Sequence, residues 1–133
     1  MTQEMQERRS LTDFNFGDCW YADLNPVLGR EQGMKRSVIV ISNEAFNKIN
    51  GDNRLVVSIS SSNKYGLSPQ WIENPWILKV PQNDFGTMGY VLANQVRTID
   101  MSIRKIKKWG TFSTEDLEDV LEAVHFSIPR VSD

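Results

Sequence analysis

Residues 17–43 read GDCWYADLNPVLGREQGMKRSVIVISN, and this stretch decides what kind of fold the chain can adopt. A glycine at 17 opens an aromatic and apolar run, Asp18 to Leu24, that reads as a strand. Asn25-Pro26 stops it, because proline cannot continue a hydrogen-bonded ladder and biases the residue before it to an extended form. A polar loop follows, with Arg30, Glu31, Gln32, Lys35 and Arg36 set around Gly29 and Gly33. The run 37–42, SVIVIS, then has the β-branched density of a strand buried on both faces. A flexible charged loop between two well-defined strands is where a small β-domain keeps its chemistry.

Upstream, residues 1–15 are polar and of mixed charge without a sustained period, and read as a tail, with a short helix over Glu4 to Arg9 as the lesser alternative. Residues 16–133 form a single domain in this reading. Downstream, Asn43 or Ser42 caps a helical turn over NEAFNKI. The turn signal Asn50-Gly51-Asp52-Asn53 launches a strand, Leu55–Ser60. The serine-rich stretch from Ser60 to Pro69 reads as a long polar loop, WILKV as the better half of a strand candidate, and Pro81 to Gly89 as a second loop. Tyr90 to Ala93 and Val96 to Ile99 read either as short paired strands or as one bent strand. Asp100 is placed to cap a turn over 101–105, and Ile106 to Thr111 to form the last strand. Ser113 and Thr114 cap a closing helix with acids in its first turn and an apolar stripe of Leu117, Val120, Leu121, Val124 and Ile128; Pro129 ends it. The sum is mainly β with appended helices: a small, strongly bent antiparallel sheet or partial barrel with a C-terminal helix.

Composition narrows the class of function. A chain of 133 residues with 40% apolar content can bury a core without disulfides, and its single cysteine fits a reducing, cytoplasmic setting. No run approaches membrane-spanning length, and the first residues lack the apolar centre of a secretory signal. A net charge of −2 argues against a general nucleic-acid coat protein, yet the charge is uneven. Cations gather at 30–36 and 104–108, while acids gather in the C-terminal helix. A basic face within an acidic chain stays open to phosphate. No His, Cys, Asp and Glu cluster has metal-ligand spacing, so neither a metal nor another cofactor is expected.

The quoted stretch resembles the opening of the MazF/PemK/Kid toxin family, G-[DE]-[IV]-[WY]-x-x-x-L-x-P-x-x-G-x-E-Q-x-G-x-R-P before an apolar strand. Gly17, Asp18, Trp20, Leu24, Pro26, Gly29, Glu31, Gln32, Gly33 and Arg36 carry the match. A second block, LANQVRTID, is similar to the family's D-Q-x-R-[ST]-I-D through Gln95, Arg97, Thr98, Ile99 and Asp100. The resemblance spans roughly residues 16–128, and two ordered motifs are far more specific than one glycine-rich loop. It implies an SH3-like or CcdB-like barrel that dimerises. It also implies a sequence-selective, metal-independent endoribonuclease acting on single-stranded RNA and restrained by a cognate antitoxin. The family's catalytic arginine maps to Arg36 and its strand-end hydroxyl to Ser60, a serine in place of the commoner threonine. Ser37 stands where proline is usual, and Asn94 and Leu92 replace the Asp–Arg pair of some members.

Cleaving RNA through its own 2′-hydroxyl needs a group to take that proton, a donor for the leaving 5′-oxygen, and positive charge at the phosphorane. Arg36 supplies a permanently charged fork for two phosphate oxygens. Ser60 supplies a donor, and Glu31 is the loop's candidate base. Arg30, Gln32, Lys35, Ser61, Gln95 and Arg97 are the expected RNA contacts. Each also has a structural reading. Without the resemblance Arg36 reads first as a loop-stabilising partner of Glu31. Arg97 with Asp100 reads first as a structural pair at the strand end, and the lysines at 105, 107 and 108 suit a solvated sheet edge. Of the four tryptophans, most belong to core or interface, with one open to stacking on a base. His125, late on the helix, suits a surface or dipole role, and Cys19 a buried strand position.

Three functions are therefore in contention: a ribonuclease toxin, a barrel of the CcdB type acting on a protein such as gyrase, and an inactive binding module. Arg36 and the E-Q-x-G motif favour the first. The expected partners are single-stranded RNA, a second copy of the chain, and an antitoxin that lays an acidic, partly disordered segment over the basic loop face.

Overall fold

The computed structural model describes residues 13–26 and 34–129. Gly17 begins the first strand with φ +87°, and a side chain there would meet the backbone carbonyl of Phe112. Only glycine suits both the dihedral and the approach. Strands β1 (Asp18–Asp23) and β2 (Lys35–Val40) pair antiparallel with Cys19 opposite Ile39 and Tyr21 opposite Ser37. In β2, Val38, Ile39 and Val40 are all fully buried, as is Cys19 across the ladder. A β-branched run flanked by strands on both sides requires this.

Asn43 caps helix α1 (Glu44–Ile49) by accepting the Phe46 N–H at 3.0 Å. Strand β3 (Asn53–Ser60) follows. The stretch expected as polar loop instead winds into two short helical turns, α2 (Lys64–Leu67) and α3 (Pro69–Ile72). Their cause is aromatic packing rather than local propensity: Tyr65 is buried, 5.1 Å from the Trp71 ring and 6.0 Å from that of Tyr90. Strand β4 (Ile77–Lys79) leads to the loop before β5 (Tyr90–Asp100), which resolves the earlier alternative in favour of one bent strand. Leu92 pairs with Ser58 and Arg97 with Val56, so Ala93, Asn94, Gln95 and Val96 bulge opposite Val57 alone.

Asp100 caps the turn α4 (Met101–Arg104), accepting from Ser102 N at 3.0 Å and Ser102 Oγ at 2.6 Å. Its carboxylate is thus committed to the cap rather than to Arg97. Strand β6 (Lys105–Thr111) closes the sheet order β4-β5-β3-β2-β1-β6. Ser113 and Asp116 exchange side chain-to-backbone hydrogen bonds of 3.1 Å each, and regular helix α5 (Glu118–Phe126) starts one turn after them.

The sheet is antiparallel, six-stranded and not closed, so "barrel" describes only its curvature. One face holds Cys19, Ile39, Val57, Ile59, Val91 and Ala93 under Phe112, Leu117 and Val120 from the C-terminal segment. The other face holds Ala22, Leu24, Val38, Val40, Val56 and Ile99 under Phe14 and Met101. Residues 13–15, grouped with the tail in the sequence reading, take part in this packing: Phe14 is 5% exposed, and its carbonyl accepts from the buried Arg54 at 2.7 Å. The expected helix over Glu4 to Arg9 lies outside the described residues. Among those described, no helix is long and apolar enough to cross a membrane.

Candidate functional site

The site lies where β2 begins and β3 ends. Ser37 pairs with Ile59 as the terminal bridge between these strands. Arg36 and Ser60, one step further on each, therefore oppose one another at the open end of the ladder. Both line one cleft of about 410 Å³ together with Lys35, Ser37 and Ser61. Tyr21, Ser62 and Met88 complete the wall beside Ile59. Arg36, Lys35, Ser60 and Ser61, four of the residues expected from sequence, are thus brought together.

Their geometry leaves the working groups available. Arg36 is exposed, and one guanidinium nitrogen donates to the Lys35 carbonyl at 3.0 Å, steadying the side chain without neutralising it. Ser60 Oγ accepts the Ser62 N–H at 3.2 Å, so its own O–H is left to donate. Gly89, with φ +122°, brings the preceding loop against the Ser60 carbonyl, where any side chain would collide. That loop is braced by Asn83, whose Nδ2 donates to Pro81 O at 2.9 Å and Thr87 O at 2.8 Å. The bracing sets Met88 at the rim. A second hollow of about 750 Å³ shares Ser61 and Met88 with the cleft and runs on past Lys79 and Tyr90.

Other expected residues sit elsewhere or are not described. Gln95 lies in the β5 bulge and Arg97 just beyond it, both exposed and away from the cleft walls. Arg30, Glu31 and Gln32, including the supposed Arg36–Glu31 pair, fall outside the described residues. No carboxylate or histidine is among the described residues lining the cleft. Among the same residues no three or more His, Cys, Asp and Glu side chains are grouped as metal ligands.

Several motif or patch residues have partners within the fold. Asp18 is 3% exposed and accepts from Asn15 N and Thr111 Oγ1 at 2.9 Å each, with Lys108 Nζ at 3.4 Å. Lys105 stands 5.5 Å over the Phe14 ring, and Lys107 5.2 Å over that of Trp109, on the outermost strand. His125 is exposed. Cys19 is fully buried, and burial pushes its thiol up to about 11; a contact with Thr87 Oγ1 at 4.0 Å lowers it and the Asp18 charge raises it by lesser amounts.

Sequence reasoning missed Tyr21, Met88 and the pairing of Trp109 with Ser37, whose Oγ accepts the indole N–H at 3.1 Å. Tyr21 was within reach: period-two alternation along β1, once paired, places it opposite Ser37. Met88 and Trp109 arrive from distant segments and carry no local signal.

Comparison with known proteins agrees with this fold. Residues 15–128 match the family model described as the PemK-like, MazF-like toxin of type II toxin-antitoxin system. Endoribonuclease EndoA of Bacillus subtilis (strain 168) is 31% identical over 115 residues, covering 86% of this chain and 94% of that protein. In fold, the crystal structure of MazF (Form-I) from Deinococcus radiodurans superposes with a TM-score of 0.65 at 22% identity, covering 85% of this chain and 94% of its own. The MazE-MazF complex (Form-II) from the same organism gives the same TM-score and identity, over 85% and 93% of the two chains. This chain belongs to the PemK-like, MazF-like toxins of type II toxin-antitoxin systems.

Proposed function

We propose that the protein is an endoribonuclease toxin that cuts single-stranded RNA at selected sites, without a metal, and so halts translation and growth. The observation that carries this reading is the placement of Arg36 and Ser60 opposite one another in an open cleft. A charged fork and a free hydroxyl there match two phosphate oxygens. The adjoining hollow, lined in part by Lys79, gives the length a polymer needs. The name of the Bacillus subtilis relative supports the same activity, and nothing in the site favours the gyrase-directed or inactive alternatives.

In this mechanism the 2′-oxygen attacks the adjacent phosphorus as its proton is removed. The P–O5′ bond breaks, the 5′-oxygen takes up a proton, and the products are a 2′,3′-cyclic phosphate and a 5′-hydroxyl. Arg36 stabilises the charge that builds on the non-bridging oxygens, and Ser60 donates to one of them. Glu31 is the proposed base. Arg30, Gln32, Lys35 and Ser61 bind the flanking backbone, while Gln95 and Arg97, set apart on β5, serve a more distant part of the strand.

The working setting is the cytoplasm, and the working form a homodimer. An antitoxin with an acidic, partly disordered segment silences the protein by covering the Arg36 cleft in place of phosphate, consistent with the MazE-MazF pairing of the structural neighbour. The test is incubation of the protein with a long single-stranded RNA in EDTA, with cut sites mapped by primer extension. Discrete cuts are expected, absent with Arg36→Ala and blocked by a 2′-deoxy nucleotide 5′ to the cut. Equal cutting of the deoxy substrate would overturn the 2′-hydroxyl mechanism, and no cutting of any RNA would overturn the activity.

A further inference from the structure

We propose that Tyr21 and Trp109 form a nucleobase-stacking platform beside the Arg36 cleft, holding one unpaired base next to the cut; this rests on the ribonuclease reading above. The register across four strands sets Ile59, Ser37, Tyr21 and Lys107 in one row. Ile59 is buried at the core end, Tyr21 is half-buried, and Lys107 is exposed. Tyr21 forms part of the cleft wall, and the Trp109 ring lies 5.9 Å from it at 48°.

Trp109 is held in a definite orientation. Its indole N–H donates to Ser37 Oγ at 3.1 Å, and Ser37 itself lines the cleft. Proline, the usual residue of the family pattern at position 37, has no such acceptor, so this chain couples a serine in the active-site strand to a tryptophan on the edge strand. Trp109 packs in part against the core and is otherwise exposed on the outermost strand, so it is anchored yet accessible. Lys107 Nζ lies over the same ring, 5.2 Å from its centroid, so the platform carries a cation of its own. Aromatic faces beside a basic groove are how proteins hold unstacked bases of single-stranded RNA.

The occupant is a base of the RNA strand near the scissile phosphate, and the platform contributes to binding rather than to the chemical step. The test uses the full chain and an oligoribonucleotide centred on the mapped cut, made uncleavable by a 2′-deoxy nucleotide, with a fluorescein end label for polarisation. Trp109→Leu keeps apolar bulk but removes the aromatic face. It is expected to weaken binding by about 5- to 150-fold, the range of one lost stack, and to raise KM while kcat stays within about threefold. Trp109→Phe restores most of the affinity. An abasic nucleotide at one position should cost the wild type as much as Trp109→Leu does, and cost that variant nothing further.

Wild-type affinity in Trp109→Leu, or an equal loss in Leu and Phe variants, would overturn the platform. So would a loss that is independent of which nucleotide is abasic. If the wild type cuts RNA and Arg36→Ala does not, such a result sinks the platform alone. If the wild type cuts no RNA, the ribonuclease reading fails and the platform with it.

Discussion

Arg36 and Ser60 occupy opposed positions on β2 and β3, one step beyond the Ser37–Ile59 bridge, and line the same cleft. Neither is in the core, so both can be changed without dismantling the sheet. Because Arg36 is exposed and its described hydrogen bond runs only to the Lys35 carbonyl, Arg36→Ala should leave the melting temperature within about 2 °C of the wild type. Cleavage should fall by about 10²–10³-fold or more, as when one transition-state donor is removed. Arg36→Lys keeps a charge but not the planar fork, and should recover only part of the loss. Thermal unfolding checks the first expectation, and single-turnover cleavage of a mapped RNA the other two.

Ser60 offers a sharper contrast. Ser60→Thr preserves the hydroxyl and should cleave within about tenfold of the wild type, while Ser60→Ala should lose about 10²-fold. Gly89 positions this residue, since a methyl there would strike the Ser60 carbonyl. Gly89→Ala should therefore lower kcat by displacing Ser60. Parallel kcat values for the Ser60 and Gly89 variants test the pair, with an unaffected Gly89→Ala contradicting the positioning role.

Arg54 makes a different kind of prediction, because it holds the chain together rather than meeting substrate. It is 1% exposed and donates to the carbonyls of Phe14, Gly51 and Asn53 at 2.7 Å and of Asp13 at 3.3 Å. Arg54→Met leaves buried carbonyls without their charged donor and should cost about 3 kcal/mol of stability. Lysine, a single-point donor, should rescue little of it. Urea unfolding gives the loss, and faster proteolysis near Phe14 in the mutant would localise it.

These residues also mark how far sequence reasoning reaches. SVIVIS, the Asn43 cap, the Asp100 cap and the stripe through Leu117 and Val120 were legible because each is a local pattern with one physical cause. So was the Arg36–Ser60 pairing, through a family resemblance whose ordered motifs exceed chance. The helical turns α2 and α3 were not legible, because serine, glycine and proline there signal loop while burial of Tyr65 against Trp71 and Tyr90 overrides them. Arg54 looks from sequence like any surface arginine until Phe14, 40 residues away, folds back onto it. Gln95 and Arg97 carried motif positions, yet the β5 bulge that sets them apart from the cleft depends on pairing with β3.

Cys19 links the buried sheet face to pH. Its thiol titrates near 11 rather than the ordinary 9.0, chiefly because burial disfavours the thiolate. The folded protein thus holds this proton more tightly than the unfolded chain does. The resulting stabilisation is complete below about pH 9 and is lost as pH rises through about 11. Cys19→Ala has no such thiol but shares every other titration at high pH. The stability difference between wild type and Cys19→Ala should therefore shift against the wild type by about 2–3 kcal/mol between about pH 8 and about pH 11. Denaturant unfolding at each pH measures it, and a difference independent of pH would show that the thiol titrates normally in the fold. The same burial predicts slow alkylation by iodoacetamide at about pH 8, becoming fast once denaturant opens the sheet.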